Sequence, residues 1–304
     1  MGIRLPAVML LLGLCQAAPA APTGSICPPQ GWTRESLQSL KQAGFKLADD
    51  ARRNQLALAL LECLGDPDPL IRDGLAFEAN SAWLRGNQLD QRTRVLALQR
   101  LLPRIAPEAA DEAGFLQTFS ALVLAELARA DRKAPYLSGA QRQQLLDAAA
   151  RYLSSVTDYR GYDAREGWRH GVAHGADLLM QLSLNPALDK AQLDQLLAAV
   201  RRQVAPAGEH FYVYGEPERL ARPLLFTAMR GLHSPAEWKA WFADVANPAP
   251  LANWNEAFLS NPGLARRHNT FAFLLVLHAQ LSASENPKLR ELLPEVSAAL
   301  AAMQ

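Results

Sequence analysis

The sequence predicts an all-α protein, an α/α superhelix or irregular α-solenoid of about a dozen helices. Three observations predict it. Helix-start residues recur ahead of apolar runs along the whole chain, with Gly or Pro closing many of them. Those runs repeat at helical spacing and are joined by short loops. Only Phe211–Tyr214 reads as a strand, and one short strand has nothing to pair with. No self-similar repeat marks a regular armadillo or HEAT array. No Gly/Ser-rich linker divides the chain, so residues 21–304 read as a single helical domain.

The elements can be placed in order from their start signals. Thr33 caps a segment ending near Gly44, and a helix from about Asp50 runs through LALALLECL to Gly65. Asp68-Pro69 is a cap followed by proline at the first helical position, and Gly86 closes that helix. Further helices are expected over 90–102, 113–130, 138–156, 168–184, 189–204 and 217–230. The last are expected over 234–246, 264–281 and 287–303. Ser234-Pro235-Ala236-Glu237 is a capping box with proline at the first position.

The chain has 304 residues, 49% of them apolar and 20% charged, enough for a large buried core. Lys plus Arg is 31 against 30 for Asp plus Glu, which argues against a nucleic-acid or anionic-membrane coat. Residues 1–20 read as a secretory signal peptide: Arg4, an apolar run from Leu5 to Leu14, then Ala18-Pro19-Ala20. That run is too short to span a bilayer, and no later stretch of the mature chain is long and apolar enough to do so. Cleavage after Ala20 removes Cys15 and leaves Cys27 and Cys63 in an exported chain, periplasmic or secreted. The two are either a disulfide or, for Cys63, a buried apolar residue.

Three polar clusters stand out. In the first, Arg72, Asp73 and Glu78 follow Asp66-Pro67-Asp68-Pro69. Its wheel puts Ile71, Leu75, Ala79 and Trp83 on one face with Arg72 at the edge, and points Asp73 and Asn80 away. Capping and ion pairing account for these residues, with a ligand role for Glu78 as the alternative.

The second cluster holds Tyr162, Trp168, His170, His174 and Asp177. On a continuous helix the two histidines and Asp177 share one face. Neutral imidazoles one turn apart suit a divalent metal, with Asp177 as third ligand or ring orienter. The Glu of the zinc-protease pattern is absent, since Gly171, Val172 and Ala173 intervene. Purely structural histidines bonded to neighbouring helices are the competing reading. Gly171 and Gly175 lie beside the apolar face and point to a close helix crossing.

The third cluster holds Tyr212, Tyr214, Glu216, Arg219 and Arg222. Acids in a first turn with proline are ordinary helix-start chemistry, while the tyrosines and arginines also suit a groove for an anionic ligand or a sugar. His170, His174, Glu78 and Glu216 are the candidate catalytic residues. Arg72, Asp73, Tyr162, Trp168, Arg219 and Arg222 are the candidate ligand-binding residues.

The blocks D-P-x-x-R-D-G-L-A-F-E, G-W-x-H-x-x-A-H-G-A-D-L and G-E-x-E-R-L-A resemble the bacterial family catalogued as domain of unknown function 2785, over about Asp66–Arg222. The resemblance implies a bacterial helical domain without an assigned activity and supplies no catalytic residue. No G-x-S-x-G, P-loop or Rossmann glycine pattern is present. Three expectations remain. The first is an exported module binding a protein, peptide or envelope ligand. The second is a metal-assisted hydrolase on the His/His/Asp face, and the third is a set of purely structural clusters.

Overall fold

The computed structural model describes Gly2 and residues 27–304. The signal-peptide segment, its cleavage point and Cys15 lie outside the described residues. The fold is all-α, with one two-stranded hairpin as the only sheet among the described residues.

Most helices begin where their caps predict, though those expected from 113 and 264 start at Leu116 and Asn261. Thr33 and Ser36 form a capping box on α1 (Arg34–Gln42), and Asp49 caps α2 (Asp50–Leu60), which tightens into a 3-10 turn over Leu61–Gly65. Cys63 in that turn is bonded to Cys27, with Cα atoms 5.6 Å apart. The disulfide ties the N-terminal segment to the end of α2. Leu70–Phe77 forms π-helical turns and continues as α3 (Glu78–Arg85); α4 is Gln91–Leu101, capped by Asp90. The row continues with α5 (Leu116–Lys133) and α6 (Gly139–Ser155), the latter capped by Ser138. The hairpin β1 (Tyr162–Asp163) and β2 (Gly167–Trp168) precedes α7 (Gly171–Ser183). Asp189 caps α8 (Lys190–Val204), Gly215 precedes α9 (Glu216–Arg230), and Ser234 caps α10 (Pro235–Val245). Ser260 caps α11 (Asn261–Ala283). The last predicted helix is two, α12 (Pro287–Arg290) and α13 (Leu293–Ala301), because the chain turns between Glu291 and Leu292.

Alternating helices build two rows. α5, α7, α9 and α11 pack side by side in sequence, and α6 and α8 pack behind them. α3 and α4 close one end against α5, with α2 packed on them, and α13 closes the other against α10 and α11. One contiguous apolar core runs through both rows, from Leu37 to Met303. Each fully buried Leu or Phe within it contributes about 1.5–3 kcal/mol. No helix among the described residues is long and apolar enough to cross a membrane.

Three local readings need correction. Phe211–Tyr214 is extended but unpaired, and the strands form at residues 162–168 instead. The helix expected from Trp168 starts at Gly171. Arg169 N–H donates to the Gly161 carbonyl at 3.0 Å and His170 N–H to the Arg160 carbonyl at 3.2 Å, so non-local pairing holds both residues out of the helix. The wheel drawn for residues 69–86 holds for its apolar face, since Ile71, Leu75, Ala79 and Trp83 are all buried, but not for two polar positions. In the π-helical turns the Glu78 N–H reaches back five residues to the Asp73 carbonyl. Arg72 and Asn80, placed at the edge and outside, are 0% and 2% exposed.

The glycine reading holds for Gly175. A Cβ on Gly175 would sit 3.1 Å from both Leu153 Cδ1 and Tyr152 Cε1 of α6, so α6 and α7 cross closely there, whereas one on Gly171 would meet ordinary contacts at 3.4 Å.

Candidate functional site

The three polar clusters meet through a chain of contacts centred on the hairpin and the first turn of α7. The Arg72 guanidinium is fully buried. It donates to the carbonyls of Asp66 at 3.0 Å and Glu166 at 2.6 Å, and to Asp73 Oδ1 at 2.7 Å. It lies 3.8 Å over the Phe115 ring, and Arg169 lies 4.2 Å from the same ring. Arg169 donates to the Ala113 carbonyl and to Glu166 Oε2, at 2.7 and 2.8 Å. Two buried guanidiniums thereby fasten the hairpin to the Asp66–Asp73 segment and to the start of α5. Gly167, at φ +77°, packs its bare Cα against Arg72 and Pro69. The Asp73 carboxyl is raised by burial, with Arg72 opposing the shift.

From the hairpin outward the site is aromatic. Tyr162 and Trp168 are 55% and 39% exposed, with centroids 5.2 Å apart. Trp168 stacks on His170 at 4.4 Å and meets the edge of Tyr214 at 5.9 Å. Tyr214 in turn lies on the bare Cα of Gly161. His170 stands at φ +61° just before α7 and bonds through Nε2 to the Tyr214 carbonyl at 2.8 Å. A carbonyl only accepts, so Nε2 carries the proton and Nδ1 is the lone-pair nitrogen. His174, one turn into α7, bonds through Nδ1 to the Thr118 carbonyl at 3.2 Å, which leaves Nε2 as its acceptor. Burial among Phe119, His170 and the α5 backbone pushes the His174 pKa down to about 3, so it is neutral at physiological pH. Burial also lowers the pKa of His170.

The carboxylates go elsewhere. Asp177 pairs with Arg219 and, at 3.5 Å, with Arg222 of α9. Glu216 accepts the Tyr214 N–H at 2.8 Å, and burial raises its pKa. Glu78 pairs with Lys41 of α1 at 2.9 Å, which removes it from the His face. Thus the three blocks converge, but the nominated acids do not join the nominated imidazoles. Among the described residues the only His–carboxylate contact is His233 with Asp194, outside this site. Nor does any group of three or more His, Cys, Asp or Glu among them stand where it could hold a metal ion. The expected His170/His174/Asp177 ligand set does not assemble. His170 leaves the helix, both histidines spend one nitrogen on backbone carbonyls, and Asp177 is covered by two arginines.

Sequence reasoning missed Phe115, Phe119, Glu166 and Arg169 as supports of the site. Gly114, Gly161 and Gly167 were the available signal, since they mark three close approaches around the hairpin.

Fold and site together define a class: a two-row helical protein whose polar seam is capped by an aromatic hairpin. The chain belongs to the family described as Protein of unknown function (DUF2785), whose model matches residues 101–279. The match runs from the end of α4 into α11 and leaves the Asp66–Glu78 block outside. No curated protein and no solved structure matches the chain.

Proposed function

We propose that this protein is an exported binding module, and that its partner docks on the hairpin face. The observation that carries the reading is the exposed Tyr162–Trp168 pair, held in place by the stack on His170. Exposed aromatics are costly to leave in water, and they are enriched with arginine at binding hot spots. Arg222 supplies the arginine: its side chain is 44% exposed, it sits about 10 Å along α9 from Gly215, and its 3.5 Å contact with Asp177 leaves donors open. The partner this surface fits presents an apolar or ring face beside an acidic group. The leader-like N-terminus and the Cys27–Cys63 bond support a place in the cell envelope or outside it.

The test is calorimetric titration with defined acidic envelope fragments and acidic aromatic peptides, beside Trp168→Ala and Arg222→Ala. The expected outcome is a ligand whose affinity drops at least about tenfold in each variant, with thermal stability retained. Equal binding by both variants, or no binding by any fragment, overturns the reading.

A further inference from the structure

A cavity that shares no residue with the hairpin carries charges without ion-pair partners. It has a volume of about 400 Å³ and sits between the turn joining α9 to α10 and helices α12 and α13. One wall carries the carboxylates of Glu291 and Glu295, neither of which has an ion-pair partner among the described residues. Lys288 also lines the cavity, one helical turn before Glu291. Its ammonium lies where a side chain on Gly231 would begin and spends one donor on the Met229 carbonyl at 3.2 Å, leaving two. The floor is apolar: Leu292 and Trp238 are 3% and 6% exposed. His233 packs on Trp238 with centroids 5.0 Å apart, and its side chain is 4% exposed. Its Nε2 faces Asp194 at 2.8 Å, while its Nδ1 is buried without a partner.

The neighbouring groove on the far side of His233 and Trp238 differs in the respect that matters. Its ions neutralise one another: Lys190 pairs with Asp194 and Glu237, and Arg201 with Asp244. Of the two, the cavity beside Lys288 alone sets unpaired charge of both signs around an apolar floor. A pure cation would meet Lys288, and a pure anion would meet Glu291 and Glu295. A ligand carrying both charges on an apolar frame satisfies all three groups.

We propose that this cavity is a binding site for a free α-amino acid with an apolar side chain. The ammonium lies between Glu291 and Glu295, the carboxylate on Lys288, and the side chain against Trp238 and Leu292. The volume falls within the range of small-molecule sites.

The test is calorimetry on the full mature chain with L-leucine, leucinamide and N-acetyl-leucine as probes. Leucinamide lacks the carboxylate and N-acetyl-leucine lacks the ammonium. L-leucine is expected to bind with a Kd between about 10 μM and 1 mM, and each blocked form at least about tenfold more weakly. Lys288→Met should erase the preference for leucine over leucinamide, and the double variant Glu291→Gln/Glu295→Gln its preference over N-acetyl-leucine. These side chains lie at the surface of the cavity, so an unchanged melting temperature separates lost recognition from lost folding. No binding of L-leucine at about 10 mM, or equal affinity for all three probes, overturns the proposal.

Discussion

His170 bonds through its Nε2–H to the Tyr214 carbonyl at 2.8 Å, and this contact joins the start of α7 to the start of α9. It also fixes the ring on which Trp168 stacks. The exposed aromatic pair thus rests on a half-buried polar joint between two helices of the same row.

That joint is open to a direct test at Gly161. A methyl group there would overlap the Tyr214 ring. Gly161→Ala should therefore displace Tyr214, loosen the Trp168 stack and weaken ligand binding at the hairpin, at a stability cost of about 1–3 kcal/mol. Near-UV circular dichroism and urea denaturation read the two effects. An unchanged aromatic spectrum would contradict the described packing.

Gly175→Ala tests the α6–α7 crossing. The added methyl meets Leu153 and Tyr152, both at most 1% exposed. Overpacking should outweigh the gain of about 1 kcal/mol in helix propensity and leave a net loss of about 1 kcal/mol. Gly139→Ala is the control, since nothing lies within 4 Å of its added methyl at the start of α6. It should be neutral or stabilising.

His174 makes stability depend on pH. Its pKa is about 3 in the folded chain and about 6.5 in the unfolded chain. Between those values the unfolded state binds the extra proton, so stability is complete above about pH 6.5 and declines as the pH falls toward 3. The lowered pKa values of His170 and His210 act in the same direction. Urea midpoints of wild type should fall between pH 7 and 5. In His174→Gln, which keeps a donor for the Thr118 carbonyl, the fall should be shallower. Identical slopes would mean that His174 takes up its proton without unfolding.

Arg72→Met should cost about 3 kcal/mol. It leaves the carbonyls of Asp66 and Glu166 without their donor and removes the cation from beside Asp73. Arg72→Lys should recover only part of this loss, because an ammonium lacks the planar fork that reaches three acceptors together. Urea denaturation of the two variants measures the difference.

Removing the Cys27–Cys63 bond by double alanine substitution should lower stability by about 3–4 kcal/mol, the loop-closure contribution for a separation of 36 residues. A reductant should lower the urea midpoint of wild type and leave that of the variant unchanged.

The sequence by itself determined the all-α class, most helix boundaries and the three polar blocks. These are local properties: caps such as Thr33, Asp90, Ser138 and Ser234 act within one turn, and apolar spacing acts within one helix. Tertiary structure decided how the blocks work together. Pairing of Arg169 and His170 with residues 160–161 took His170 out of the helix, and the Asp66 and Glu166 carbonyls with the Phe115 ring hold Arg72 in the core. Lys41 claimed Glu78, while Arg219 and Arg222 claimed Asp177. Each of these outcomes depends on a partner distant in the chain, and no period or cap encodes which partner that is. The same reason separates the two proposed sites. The hairpin aromatics belong to a segment the sequence marked, whereas Lys288, Glu291 and Glu295 acquire meaning only where α12 folds back against α9 and α13 against α10 and α11.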